Sequence, residues 1–188
     1  MSPTPLRIGV LLSGGGRTLQ NLLDRIAAGS LDATIVAVVS DKPDAFGLER
    51  ARRADVPTLV TADSRASFAF LDEHRAELCC LAGYLRLLRI PEPWTDRVLN
   101  IHPSLLPRHG GKGCYGDRVH RAVLAAGDAE TGCTVHYCDA EYDTGRVLVQ
   151  RRVPVGPDDD VATLAARVFA EECEAYPQAI ELWRRGRA

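Results

Sequence analysis

No stretch of this chain is apolar for long enough to cross a bilayer as a helix, which takes about 20 predominantly apolar residues. The N-terminus lacks a charged segment leading into an apolar run and a cleavage site, and Ile8–Leu12 is short enough to be a strand instead. No block of Lys or Arg stands out and the formal charge is only -2, so neither nucleic acid nor an anionic membrane is an expected partner. The 6 cysteines form no Cys-x-x-Cys pair and show no zinc-finger spacing, so reduced thiols are expected and no metal site. Internal repeats and low-complexity segments are missing as well. What is left is an ordinary globular composition, 46% hydrophobic and 26% charged over 188 residues. That length supports a real core, and a single domain spanning 1–188 in a cytoplasmic protein is the expectation.

Apolar runs alternate with segments of helical spacing. Arg7–Leu12 and Ala33–Val39 predict buried strands, and Pro57–Val60, Leu78–Leu81 and Arg97–Leu99 predict shorter ones. Helices are expected over 45–54 with Asp44 as N-cap, and over 65–75 with Ser64 as cap. Further on, Val119–Ala126 predicts a helix, Thr131–Tyr137 and Val147–Val155 predict strands, and Pro154 puts the last strand at an edge or an end. A long C-terminal helix from Val161 to about Arg184 is capped by Asp158, Asp159 and Asp160 and bent at Pro177. Together these imply an α/β fold: an open, mostly parallel, Rossmann-like sheet of about six or seven strands with helices on both faces.

Four stretches bear on function. Asn100 and His102 fall where a strand ends in a loop punctuated by Pro103 and Pro107. Residues two apart on a strand share a face. An amide and an imidazole side by side suit an oxyanion and a nearby proton transfer. For an isolated Asn-x-His, a locally satisfied turn is the plain alternative. Ser13–Thr18 (SGGGRT) joins a strand to a helix, which surrounds an anion with backbone N–H groups and a helix N-terminus. It is no P-loop, because no Gly-Lys-Ser/Thr closes it, and Leu19 stands where a dinucleotide fingerprint has its third glycine. A single phosphate monoester fits better, or a ligand-free turn. Ala82–Leu88 is apolar apart from Arg86, either the start of another helix or a lip suited to a flat, partly anionic ligand. His109–Gly116 is a glycine-rich segment, and a mobile flap carrying Lys112 is expected there.

The octamer Asn100–Pro107 (NIHPSLLP) closely resembles the signature of the folate-dependent formyltransferase superfamily. Ser13–Leu22, Ser40–Ala51, Leu81–Leu88, Gly132–Gly145 and Glu172–Pro177 extend the likeness through nearly the whole chain, towards its phosphoribosylglycinamide (glycinamide ribonucleotide) formyltransferase branch. The resemblance implies small-molecule substrates, with 10-formyltetrahydrofolate as co-substrate, no metal, and a monomer or homodimer. Asn100 and His102 would polarise the formyl oxygen, and Asp143 would pair with His102, raise its pKa and help relay the amine proton. Gly16, Arg17 and Thr18 would hold the phosphate and Glu172 the ribose hydroxyls, while Leu81, Arg86, Leu88 and the Asp139–Asp143 loop would hold the folate.

Some positions depart from the pattern. Arg146 follows the Asp143 turn where the family usually has proline, which would loosen the folate loop or add a cation to it. Arg17 and Thr18 replace smaller polar residues, and Cys173 stands where some relatives carry histidine. Rival readings are a sugar N-formyltransferase, a formyltetrahydrofolate deformylase, which normally carries an extra N-terminal domain, and methionyl-tRNA formyltransferase, which adds a C-terminal barrel. A non-catalytic folate- or nucleotide-binding module is the rival of another class.

Overall fold

The computed structural model describes residues 4–186. Its strands are β1 (Leu6–Leu12), β2 (Ala33–Ser40), β3 (Thr58–Val60), β4 (Leu78–Leu81), β5 (Val98–His102), β6 (Glu130–Tyr137) and β7 (Val147–Pro154). Its helices are α1 (Arg17–Ala27), α2 (Phe46–Arg53), α3 (Ser64–Glu73), α4 (Asp117–Ala126) and α5 (Val161–Arg185). The strands form one 7-stranded sheet in the order β3-β2-β1-β4-β5-β6-β7. β1 runs parallel to β2 and β4, and β2 to β3, whereas β7 pairs antiparallel with β6 and ends the sheet. The mostly parallel α/β sheet expected from the sequence is the one observed, and Pro154 lies on its terminal strand.

The chain groups into two compact units, Met1–Leu99 and Asn100–Ala188. In the first, Val10 of β1 stands in register with Val38 of β2 and with Cys80 of β4, all fully buried. Such rows explain why these strands read as continuous apolar runs instead of alternating ones: both faces are covered. Gly9 shows how closely α3 sits, since a Cβ there would lie 2.4 Å from Leu71 Cδ2. The chain leaves β1 in one direction for β2 and β3, while β4 lies on the other side of β1. In open α/β sheets ligands bind at such a reversal, here at the carboxyl ends of β1 and β4.

Several boundaries differ from those expected. α2 starts after Ala45, whose side chain makes no capping bond; Asp44 does not cap it. The Gly47 N–H at the start of α2 instead donates to Gly14 O (3.0 Å), so a loop carbonyl does the work of a cap. Asp63, one residue before Ser64, caps α3 by accepting from Arg65 N (3.0 Å), while Ser64 Oγ accepts from Arg89 N (3.1 Å). β5 runs on through Asn100 and His102, so both lie within the strand. The aspartate run before α5 does cap it: Asp160 and Thr163 form a reciprocal capping box, and the helix continues through Pro177.

Trp94 closes the lower part of the first unit. It is 1% exposed, its ring meets Phe68 at a 44° tilt (5.2 Å) under the Arg97 guanidinium (4.2 Å), and its Nε1 donates to Asp72 Oδ1 (3.1 Å). Trp94→Ala is expected to lower the unfolding free energy by about 3–5 kcal/mol, from lost contacts and a residual cavity. Trp94→Phe keeps a ring and loses the hydrogen bond, and should cost about 1–2 kcal/mol. Urea titration of the two variants checks this, and equal losses would mean that ring packing is not what holds the region.

Candidate active site

The second unit holds a cluster of polar side chains around one carboxylate. Asn100 and His102, two apart on β5, face the same way, and Asp143 meets both. Its Oδ1 accepts from Asn100 Nδ2 (3.3 Å), and its Oδ2 lies 3.4 Å from His102 Nδ1. Asp143 sits at φ 60°, a left-handed conformation that aspartate tolerates better than most residues. The Gly111 N–H fastens it there by donating to Oδ2 (2.9 Å). The loop leading to it is organised by Asp139, whose Oδ1 accepts from Glu141 N (3.0 Å) and Thr144 Oγ1 (2.8 Å). The base of the loop is closed by Tyr137 N donating to Arg146 O (2.9 Å), with the Arg146 guanidinium 4.2 Å over the Tyr137 ring. Arg146 thus ties the loop down and does not loosen it.

Two further groups, not expected from the sequence, complete the cluster. His136 on β6 is buried, and its Nε2 lies 3.1 Å from Asn100 Nδ2 and 3.5 Å from Asp143 Oδ1. Its Nδ1–H donates to Tyr137 O (2.8 Å), which leaves Nε2 to accept from Asn100. The Gly111 N–H is the other. β6 is buried on both faces from Thr131 to His136, so no alternation singles out His136, and nothing local marks the Gly111 N–H as a ligand of Asp143.

Ring tautomers follow from the same geometry. His102 Nε2–H donates to His109 O (2.9 Å), so its Nδ1 carries the lone pair towards Asp143. Burial lowers the His102 pKa, and the Asp143 charge only partly opposes this. The expectation that Asp143 would leave His102 with a raised pKa is therefore corrected: desolvation outweighs the carboxylate. For Asp143 burial pushes upwards, but the neighbouring His136 and His102 rings and the Gly111 N–H together hold it below the ordinary carboxylate value. At neutral pH burial thus favours an uncharged imidazole beside an ionised carboxylate. Beside the cluster lies a pocket of about 390 Å³ whose lining includes Leu106, Gly110, Tyr142, Asp143 and Val147.

In the first unit, Gly16 is the N-cap of α1 at φ 68° with no side-chain capping bond. A Cβ on Gly16 would lie 2.6 Å from Gly47 Cα, so only glycine fits there. The Gly14 carbonyl is drawn to the Gly47 N–H and the Gly15 carbonyl to Arg50 Nε (2.8 Å), turning both oxygens back towards α2. The first N–H groups of α1, from Arg17 and Thr18 onwards, form the anion-binding geometry of a helix N-terminus. Ser13 ties this loop to the one after β4, its N–H donating to Gly83 O (3.1 Å) and its Oγ accepting from Leu85 N (3.0 Å). In that second loop Arg86 is exposed between exposed Leu85 and Leu87, whereas Leu81 and Leu88 are buried.

Glu172 is half-buried on α5. It and Glu171 add to the burial that pushes the Cys133 thiol up to about 12, too high for a nucleophile. Among the described residues, no group of three or more His, Cys, Asp or Glu side chains is placed to hold a metal ion, and no helix is long and apolar enough to cross a membrane.

Residues 6–180 match the Formyl transferase family. The chain is 41% identical over 197 residues, 97% of its own length, to the trifunctional purine biosynthetic protein adenosine-3 of Drosophila melanogaster, of which it spans 14%. It is 35% identical to the phosphoribosylglycinamide formyltransferase of Haemophilus influenzae, covering 96% of this chain and 88% of that one. The crystal structure of glycinamide ribonucleotide transformylase 1 from Symbiobacterium toebii superposes with a TM-score of 0.89 at 41% identity, covering 99% of this chain and 91% of that one. With residues 6–180 matched to that family and full-length relatives at 35–41% identity, the chain belongs to the formyl transferase family.

Proposed function

We propose that this chain, as a single formyltransferase domain, moves the formyl group of 10-formyltetrahydrofolate to the amine of glycinamide ribonucleotide, a step of de novo purine biosynthesis. The observation that carries this is the Asp143 carboxylate, which joins an amide donor and an uncharged imidazole beside a pocket.

The amine nitrogen attacks the formyl carbon, a C–N bond forms, and the carbonyl electron pair moves onto oxygen. Asn100 Nδ2 is the donor for that oxyanion, which displaces its long 3.3 Å contact with Asp143. The proton released by the amine passes, through water, to His102 Nδ1, where Asp143 stabilises the imidazolium as it forms. The tetrahedral intermediate then collapses, the bond from formyl carbon to the folate nitrogen breaks, and the pair returns the proton to that nitrogen. No covalent enzyme intermediate is needed, in keeping with the raised Cys133 thiol.

Gly16, Arg17 and Thr18 bind the substrate phosphate through backbone N–H groups, a mode indifferent to the bulk of Arg17 and Thr18. Glu172 takes the ribose hydroxyls. Leu81, Arg86, Leu88 and the loop holding Asp139 and Asp143 take the folate, with exposed Leu85 and Leu87 adding apolar surface. A steady-state assay with glycinamide ribonucleotide and 10-formyltetrahydrofolate tests the proposal, and absence of turnover with this acceptor would overturn it.

Asp143→Asn keeps the shape and removes the charge. It should lower kcat on the order of 10²–10⁴-fold, the usual loss for an acid–base group, with both KM values little changed. Near wild-type kcat in this variant would refute the catalytic assignment.

Gly16→Val should raise KM for the ribonucleotide about 10-fold or more, the loss of roughly 1.5–3 kcal/mol of charge-assisted hydrogen bonding. Folate KM should stay put, and an equal rise in both would make the loop purely structural.

The pH profile has a definite sign. His102 must be uncharged and Asp143 ionised to accept the proton, and both pKa values are lowered. Activity should therefore fall on acidification, with the midpoint of kcat/KM below the ordinary histidine value of 6.5. A midpoint above that value would show that the carboxylate dominates over burial.

A further inference from the structure

The glycine loop after β1 is set by hydrogen bonds more than by packing. A Cβ on Gly14 or Gly15 would meet nothing within 4 Å, so no steric contact fixes the peptide planes there. The Gly15 carbonyl accepts from Arg50 Nε (2.8 Å), about one helical turn beyond the Gly47 N–H that holds Gly14 O. The Gly15–Gly16 peptide is trans. A trans peptide is planar and points its N–H opposite to its C=O. Drawing Gly15 O onto α2 therefore turns the Gly16 N–H away from α2. Gly16 is buried, yet among the described residues its N–H donates to no protein acceptor. Buried backbone donors are rarely left so, and one that is marks the place of a ligand or a water.

Arg50 is itself held from several sides. Its Nη1 donates to Gln20 Oε1 (2.9 Å). Gln20 belongs to the same turn: its N–H donates to Gly16 O (2.9 Å) and its Nε2 to Asp24 Oδ1 (2.8 Å). The Phe46 ring lies 5.0 Å from the Arg50 guanidinium carbon, and at 50% exposure it is a large apolar ring whose use is to cover that cation. The Arg50 side chain also passes beside the turn, where a Cβ on Gly16 would lie 3.4 Å from its Cδ. We propose that Arg50 is a positioning residue for the anion site: by holding Gly15 O on α2 it aims the Gly16 N–H at the substrate phosphate. The charged donor on that carbonyl also polarises the same peptide and makes its N–H a stronger donor. Without Arg50 no steric contact stops the peptide from turning its oxygen to the anion. The identity of the substrate rests on the transfer reaction above, while the orientation of the Gly16 peptide does not.

The Gly16 amide of ¹⁵N-labelled protein is followed first without ligand and then on titration with inorganic phosphate, and KM is measured for each substrate. In wild type the Gly16 resonance is expected to move saturably with phosphate. Arg50→Ala should shift or broaden that resonance already in the absence of phosphate. It should weaken phosphate binding and raise KM for the ribonucleotide, each about 10-fold or more, with kcat and folate KM little changed. Arg50→Lys keeps one charged donor and loses the fork, so it should recover part of the loss, and it stays informative should the first variant fold poorly. Arg53→Ala removes the other cation beside Phe46 (5.8 Å), which bonds Glu49 and not the loop, and should behave as wild type. An unmoved ligand-free Gly16 amide in Arg50→Ala, with phosphate binding weakened, would show that the guanidinium meets the anion itself and would overturn the proposal. Unchanged phosphate binding in that variant, an equal rise in both KM values, or a wild-type Gly16 amide indifferent to phosphate would overturn it too. If wild type bound phosphate at Gly16 but did not formylate glycinamide ribonucleotide, the reaction assigned above would fail, and the phosphate titration would still decide the role of Arg50.

Discussion

The cluster of the second unit hangs on one buried carboxylate. Asp143 takes hydrogen bonds from a strand side chain, Asn100, and a loop N–H, Gly111, and lies against the rings of His102 and His136. An ionised carboxylate out of water is costly unless hydrogen-bonded, and these donors are what keep it ionised. In return it brings together β5, β6, the segment after β5 and its own loop. Close packing enforces the arrangement: a Cβ on Gly110 would lie 2.4 Å from Leu106 Cδ2 and 3.3 Å from Asp143 Cβ.

Histidine behaves differently at each position in this unit, and hydrogen-bond partners decide how. His136 gives its Nδ1 proton to a backbone carbonyl and accepts at Nε2, whereas His102 gives its Nε2 proton to the His109 carbonyl and turns Nδ1 to Asp143. His109 sits in contact with a carboxylate that ordinary pH does not protonate. Burial keeps His102 uncharged against the pull of Asp143, which suits a group that must receive a proton and not begin with one. Charge near a histidine is therefore no guide to its protonation unless desolvation is weighed beside it.

In the first unit the dominant constraint is steric. α2 is pressed so tightly against the loop after β1 that Gly16 and Gly47 meet backbone to backbone. The same contact lets each element satisfy the other: α2 takes its missing cap from Gly14, and the loop has its carbonyls held back by Gly47 and Arg50. An anion-binding helix end needs N–H groups forward and oxygens away, and packing achieves both with no charged side chain at the cap.

By itself the sequence determined the alternation of strands and helices, because buried parallel strands must be apolar on both faces and so leave unbroken runs such as Ile8–Leu12. It marked Gly16 through its local glycine pattern and paired Asn100 with His102 through strand periodicity. The link to Asp143, 41 residues beyond His102, came only through family likeness, and Gly111 and His136 stayed hidden. Caps failed by a residue or more at α2 and α3, because a tertiary carbonyl and a neighbouring aspartate took the roles that local rules gave to Asp44 and Ser64. The direction of the His102 pKa lay beyond the sequence altogether. Which charges stand near a ring can be inferred from a motif, but how much water the fold removes from it is settled only when every surrounding element has packed.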